Sequence, residues 1–219
     1  MNKISITGAN RGIGLELCRQ LSQRGDDVIA VCRQTSDDLQ DLNIRVIAGI
    51  DVSSADCMDT LQTEMASEKL DWLINNAGIL SVESLSSLNY EAMEQQFRVN
   101  ALSPLRVTTA LLPNLEAGAK IGIVTSRMGS VEDNTSGGYY GYRMSKAAVN
   151  MAGMSLARDL QPRGIAVALL HPGMVATEMT GRQGIPPSQA AAGLIARMDE
   201  LNLSNSGGFW HAEGQRLPW

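Results

Sequence analysis

A chain of 219 residues with 44% hydrophobic side chains has the size of one α/β domain and can fill a single sizeable core. A formal net charge of -5 and a sequence pI near 5.1 argue against a nucleic acid or an anionic membrane surface as partner. Cys18, Cys32 and Cys57 are odd in number and lack a Cys-x-x-Cys spacing, which argues against a disulfide framework or a thiolate metal site.

The opening Met1-Asn2-Lys3 runs straight into Ile4-Ser5-Ile6-Thr7, too short and too alternating for a signal-peptide core, and no apolar run is long enough to span a bilayer. The expectation is a soluble cytoplasmic protein whose partners are small molecules or copies of itself. Alternation predicts a first strand over 2–7, followed by a helix over 12–24 with Leu17 and Leu21 on one face. The turn between them, Thr7-Gly8-Ala9-Asn10-Arg11-Gly12-Ile13-Gly14, lies where a dinucleotide pyrophosphate meets backbone N–H groups and a helix dipole. Gly8 would permit the turn, Gly12 the close approach of phosphate and Gly14 tight helix packing, with Asn10, Arg11 and Ile13 completing the contact. The spacing is Gly-x-x-x-Gly-x-Gly rather than the commoner Gly-x-Gly-x-x-Gly.

A second strand over 27–32 ends in Val31-Cys32-Arg33, where an acidic residue would otherwise accept hydrogen bonds from a ribose 2'-hydroxyl. Arg33, with Arg11, suits a 2'-phosphate instead, which favours NADP(H) over NAD(H). As plain surface charges the two arginines would carry no such meaning. A brief turn at 36–41, a strand over 44–49 and a helix over 54–67 follow, with Asp51 and Val52 after the third strand. A fourth strand over 70–75 runs into Asn75-Asn76-Ala77-Gly78. One long helix is predicted over 91–116, enclosing Asn100, and a fifth strand over 120–125 closes at Thr125-Ser126. The helix over 142–161 carries Tyr142-Arg143-Met144-Ser145-Lys146, a phenol and an ammonium one turn apart on one face. A cation so placed stabilises a phenolate and draws the tyrosine pKa down toward neutrality, as acid–base catalysis requires. The strand over 165–170 is apolar throughout, as a centrally buried parallel strand should be. After it come Pro172-Gly173-Met174-Val175-Ala176-Thr177, a short mobile lid near 174–187 and a last helix over 187–201. The rhythm is βαβ, with glycines and prolines gathered in the connections that follow strands.

Taken in chain order, the Thr-Gly-x-x-x-Gly-x-Gly, Asn-Asn-Ala-Gly, strand-end serine, Tyr-x-x-x-Lys and Pro-Gly elements make the chain resemble the short-chain dehydrogenase/reductase family over essentially its whole length. Ser126-Arg127-Met128-Gly129-Ser130, the stretch from Asp133 to Tyr140 and Leu217-Pro218-Trp219 look most like the sniffer-type carbonyl reductases and the bacterial C-factor proteins. The resemblance implies a doubly wound Rossmann fold, mostly parallel with about seven strands, in one domain over 1–219. It implies that Tyr142 gives the proton, that Ser126 orients the substrate oxygen, and that Lys146 tunes Tyr142 and binds the nicotinamide ribose. Asn100 would fix a water beside Lys146. Asn76, Ala77 and Gly78 would pass the adenosine ribose, and Asp51 would bond the adenine amine. Thr177 would hold the nicotinamide amide, with Pro172, Gly173 and Val175 shaping that wall.

Ser126 precedes Tyr142 by sixteen residues, somewhat more than is usual in the family, and Ser130 competes for its role. His171, alone at a strand end, reads as structural, and His211 has no partner at metal-ligand spacing. The expected activity is NADPH-dependent carbonyl reduction of a small molecule, reversible as alcohol oxidation. The helix over 142–161, apolar over much of its circumference, points to a homo-oligomer. The rival expectation is an NADP(H)-binding signalling or redox-sensing protein with little turnover.

Overall fold

A computed structural model describes residues 1–219. Seven parallel strands form one sheet in the order β3-β2-β1-β4-β5-β6-β7. They are β1 Lys3–Thr7, β2 Asp27–Val31, β3 Arg45–Ile47, β4 Leu70–Asn75, β5 Leu115–Val124, β6 Ala166–His171 and β7 Gly208–His211. Parallel strands need crossover connections, and these put helices on both faces. The helices are α1 Gly12–Gln23, α2 Asp37–Gln40, α3 Asp56–Met65, α4 Tyr90–Phe97, α5 Ser103–Ala110, α6 Tyr140–Leu160 and α7 Pro187–Glu200. Side chains alternate along β6: Val167 and Leu169 join the core under α3, α5 and α6, while Ala166, Ala168 and Leu170 join the core under α1 and α7. Those two cores hold 26 and 23 buried residues, so neither face of the sheet is left wet.

The strand order reverses between β1 and β4, which parts the connections there and opens a crevice at the carboxyl ends of the strands. The glycine turn, Arg33, Asp51-Val52, Asn76 to Gly78, Ser126 and the Pro172-Gly173 turn follow strands and border this end of the sheet, while Asn100 and the Tyr142–Lys146 pair lie on helices.

Two predicted elements differ from the structure. The single helix over 91–116 is instead α4, a π-helical turn at Arg98–Leu102, α5 and a 3-10 turn at Leu112–Asn114, and β5 then begins at Leu115. Pro104 cannot donate to the helical ladder and crowds the carbonyl four residues earlier, and the π turn absorbs that clash. The chain leaves the helix where Asn114 Nδ2 donates to the carbonyls of Met65 (2.6 Å) and Glu68 (2.9 Å), which sets Leu115 beside Leu70 in the sheet. The second difference is β7, a four-residue strand that no sequence run marked. It pairs with β6 and buries Phe209 completely, stacked on Trp219 at 5.4 Å between ring centroids. The segment at 36–41 is a short helix, capped by the Ser36 hydroxyl accepting from Leu39 N.

α6 seats on the sheet through Gly153, where an added Cβ would stand 2.7 Å from Leu169 Cδ2. Gly153→Val is therefore expected to destabilise the protein by about 1–3 kcal/mol through overpacking, read as a lower urea midpoint at unchanged slope.

Candidate active site

The crevice begins at the glycine turn. Gly8 takes a left-handed φ of 65°, and a Cβ there would stand 2.8 Å from Ala77 Cα, so the residue admits no side chain. A Cβ on Gly14 would overlap the Gly8 carbonyl oxygen and stand 2.7 Å from Asn76 Nδ2. The N-cap residue Arg11 makes no side-chain hydrogen bond to the first turn of α1. This glycine-lined helix start fits a pyrophosphate. The turn is braced from β4: Asn76 Nδ2 donates to the carbonyls of Thr7 (3.0 Å) and Gly8 (3.2 Å), and Thr7 Oγ1 accepts from the N–H groups of Asn76 (3.0 Å) and Ala77 (3.2 Å). Both amide hydrogens of Asn76 are thus spent on the turn. From the other side, Ser36 Oγ donates to the Asn10 carbonyl at 2.7 Å. Thr7 and Ser36 were not among the sequence candidates. The Ser-Asp-Asp start of α2, an N-cap signature, was the available signal for Ser36.

Arg33 is exposed beyond the end of β2. Asp51 Oδ1 accepts from Ser53 N at 2.9 Å and Ser53 Oγ at 2.7 Å. Burial works against the Asp51 carboxylate, but those two bonds and the Arg33 charge outweigh it and hold its pKa below the usual value. Val52 beside it is buried. Arg11 is paired across the crevice with Glu178, an exposed ion pair between the glycine turn and the 174–187 segment.

In that segment Gly173 has φ 87° and borders His211 and Ile185, and Val175 is buried. Met174 O accepts from Ile185 N (2.8 Å) and Ile185 O from Ala176 N (2.9 Å), so the loop is closed by its own backbone bonds. Thr177 caps a 3-10 turn at Glu178–Thr180 and lies 3.3 Å from where a Cβ on Gly12 would be. Pro172 is buried at its start.

Tyr142 and Lys146 stand one turn apart on α6, both buried, with Lys146 Nζ 5.7 Å from the tyrosine ring centroid. The ammonium donates to the Val124 carbonyl at 3.0 Å, at the end of β5. Burial pulls the Lys146 pKa down to about 8. Burial pushes the Tyr142 phenol up to about 12, against a smaller opposing effect of its hydrogen bond with Ser126. The direction is opposite to the expected fall toward neutrality. The ammonium is engaged with Val124, and removing the phenol from water penalises phenolate more than Ser126 helps it. The result is a phenol held protonated at neutral pH.

Ser126 stands two residues past the end of β5, and its Oγ accepts from Met128 N at 3.1 Å, which fixes the rotamer. Ser130 faces elsewhere: its Oγ donates to the Trp219 carbonyl at 2.8 Å and accepts from Asp133 N at 3.1 Å. Asn100 lies in the π turn. Its Oδ1 accepts from Ile79 N (2.8 Å), while Nδ2 donates to Ile79 O (2.9 Å) and Ser145 Oγ (3.0 Å), and it makes no bond to Lys146. A Cβ on Gly78 would stand 3.4 Å from Asn100 Oδ1 and 3.7 Å from Lys146 Nζ, so Gly78 sits on the tyrosine side of the crevice. His171 is neutral, its pKa pulled down to about 3 first by burial and then by His211, whose ring meets it edge-on at 5.0 Å.

A glycine-braced crevice at the switch point of a doubly wound sheet, with a buried proton donor at its far end, is a construction of nucleotide-dependent oxidoreductases. Comparison with known proteins narrows that class. The short chain dehydrogenase family model matches residues 2–185, and the chain belongs to that family. It is 45% identical over 226 residues to the 1-hydroxy-2-glutathionyl-2-methyl-3-butene dehydrogenase of Rhodococcus sp. strain AD45, covering 100% of both chains. It is also 45% identical over 166 residues to the C-signal of Myxococcus xanthus, covering 74% of this chain and 100% of that one. Among solved structures, the carbonyl reductase Sniffer of D. melanogaster superposes with a TM-score of 0.92 at 30% identity over 100% of both chains. The NADPH-bound carbonyl reductase from chicken fatty liver does so with a TM-score of 0.88 at 26% identity, over 100% of this chain and 99% of that one. The chain is thus an oxidoreductase of the short-chain family with carbonyl reductases as structural neighbours, as the motifs implied.

The Lys146 shift carries a stability consequence. Its folded pKa of about 8 lies below the ordinary 10.5, so between these values the unfolded chain binds more protons; stability rises as pH climbs through that window and is lost as pH falls. Lys146→Met in the cofactor-free protein is expected to gain about 2 kcal/mol at pH 7, from about 3 of relieved desolvation less about 1 for the lost bond to Val124. Urea titrations at pH 7 and pH 10.5 should show the gain at the lower pH only.

Proposed function

We propose that the protein is an NADPH-dependent carbonyl reductase of the cytoplasm, reversible as an alcohol dehydrogenase, acting on a small carbonyl or alcohol substrate. The observation that carries this reading is the buried Tyr142 phenol, kept protonated beside Ser126 and one turn from Lys146. Bound NADPH would supply the hydride. Ser126 Oγ, fixed by Met128 N, holds the substrate carbonyl oxygen, and the Tyr142 O–H delivers a proton to that oxygen as negative charge develops on it. Lys146 is the cation that stabilises the phenolate left behind, and it binds the nicotinamide ribose hydroxyls. Asn100 supports this end of the crevice through Ile79 and Ser145.

Gly8, Asn10, Arg11, Gly12, Ile13 and Gly14 take the pyrophosphate end of the cofactor. Arg33 takes the 2'-phosphate, joined by Arg11 when it exchanges Glu178 for the phosphate. Asp51 and Val52 border the adenine, Asn76, Ala77 and Gly78 line the floor, and Pro172, Gly173, Val175 and Thr177 face the nicotinamide. Residues 1–219 work as one domain, with 174–187 as the lid. The exposed Met144 and Met151 on α6 favour assembly of like chains. A signalling role that uses the bound form rather than turnover has the C-signal likeness in its favour. An intact serine, tyrosine and lysine in one buried group favours chemistry, since a pure binder has no use for a desolvated acid.

Tyr142→Phe is expected to lower kcat by about 100-fold or more while leaving NADPH binding within about twofold, measured by NADPH oxidation with aldehydes, ketones or quinones and by cofactor fluorescence. Unchanged turnover would remove Tyr142 from the mechanism, and no turnover of any carbonyl by the unaltered protein would favour the signalling reading. Arg33→Asp is expected to weaken NADPH binding by about tenfold or more with little effect on NADH; equal loss for both would dispose of the 2'-phosphate contact.

A further inference from the structure

Helix α6 carries Tyr142 and Lys146, yet its own sequence does not cap it. The N-cap position, Tyr139, is left-handed (φ 51°) and makes no side-chain bond to the first turn. The missing acceptor comes from elsewhere in the chain. Glu83, only 2% exposed, belongs to the segment that leaves β4 after Gly78. Its Oε2 accepts from Gly141 N at 3.2 Å, and its backbone carbonyl accepts from Tyr139 N at 2.9 Å. Its other oxygen, Oε1, accepts at 2.8 Å from Nε2 of Gln96, which is itself completely buried on α4. Gln96 Oε1 in turn accepts from Ser81 N at 2.9 Å. The packing leaves no slack, since a Cβ on Gly141 would stand 2.5 Å from Gln96 Nε2 and 2.7 Å from Met93 Cγ. Gly141 immediately precedes Tyr142.

We infer that Glu83 is a positioning residue for Tyr142: a buried carboxylate that clamps the start of α6 to α4 and fixes how deep the phenol sits against Ser126. The inference rests on the reductase reading for its catalytic consequence, and on geometry alone for the clamp. The polarity of the bonds makes it specific. Ser81 N–H gives to Gln96, the Gln96 amide gives to Glu83, and Gly141 N–H gives to Glu83, so position 83 must accept twice. The two donors meet different oxygens, Oε1 and Oε2, and only a carboxylate accepts at both ends of its fork. An amide at 83 has one acceptor oxygen, and turning Gln96 over to suit it would take the acceptor from the half-buried Ser81 N–H. A negative charge at a helix N-terminus is also favoured by the helix dipole.

The test compares Glu83→Gln with the exchanged pair Glu83→Gln/Gln96→Glu, which are near-isosteric. In the pair, the carboxylate at 96 accepts from Ser81 N and from the amide at 83, whose oxygen accepts from Gly141 N, so all three bonds return. In Glu83→Gln, amide hydrogen exchange of residues 139–146 in the cofactor-free protein should rise about tenfold, and kcat for carbonyl reduction should fall about 10- to 100-fold with NADPH affinity within about twofold, as a displaced catalytic group requires. The exchanged pair should restore both. Unchanged exchange in Glu83→Gln, or a pair no better than the single variant, overturns the clamp. Raised exchange with unaltered kcat overturns its bearing on Tyr142. Should the unaltered protein turn over no carbonyl, the reductase reading fails, while the exchange measurements still decide the clamp.

Discussion

The reversal of strand order between β1 and β4 is the constraint on which the rest depends. Chains that wind outward in both directions from a central pair of parallel strands must leave the connections at that pair uncovered by one another. An open crevice exposes backbone at the ends of β1 and β4, and that backbone has to be satisfied or held rigid. Thr7 and Asn76 do both, sharing two hydrogen bonds across the gap and adding one each, from Ala77 N to Thr7 Oγ1 and from Asn76 Nδ2 to Gly8 O. Because Gly8 and Gly14 lack side chains, the turn folds down onto Ala77 and Asn76 and leaves the start of α1 facing the crevice. Topology thus makes the opening, and glycine with asparagine makes its floor.

At the other end of the crevice, desolvation sets the chemistry. Taking Tyr142 and Lys146 out of water moves both toward their neutral forms, the phenol up to about 12 and the ammonium down to about 8. The two shifts answer to one cause, and they open a window between about pH 8 and 12 in which both groups are neutral together, which the ordinary values of 10.0 and 10.5 do not allow. This arrangement costs stability, because a lysine that must shed or bury its charge is worse than an apolar side chain in the same place. Strained or desolvated groups persist where the surrounding packing over-determines them. Here two large cores under the two faces of the sheet supply that excess.

Much of this was legible in the sequence because the signals were local. The glycine turn, the strand ends and the one-turn spacing of Tyr142 and Lys146 are each contained in a few consecutive residues, and six of seven strands carry their own apolar runs. What escaped was non-local or counter-patterned. β7 is four residues beside two glycines and exists only because β6 offers an edge and Phe209 a place to stack. The break at Pro104 was visible as a residue but not as a π turn, since the ladder on either side of it continues helical. The direction of the tyrosine shift depends on where the Lys146 ammonium points, toward Val124, and spacing along a helix says nothing of that. Glu83 carried no signal: the partner it caps is 58 residues away.

The position of α6 ties these strands of argument together. It is approached closely at three heights. Gly141 admits α4 near its start. The Gly129 turn lies against the backbone of Lys146, where an added Cβ would be 2.6 Å from the carbonyl carbon. Gly153 admits Leu169 of β6. Each contact leaves less than the room for one methyl group, so the helix cannot shift along or across the sheet without a clash at one of them. Tyr142 and Lys146 lie on the stretch of this helix between the Gly141 and Gly153 contacts, with the Gly129 turn against the Lys146 backbone. Ser126, braced by Met128 N on the turn that packs against Lys146, inherits the same frame. The serine and the tyrosine come from different elements separated by sixteen residues. The loop between them is tied back to α6, where Arg143 donates to the Gly137 carbonyl at 3.3 Å and to Ser136 Oγ at 2.9 Å, and the turn meets the helix at Gly129.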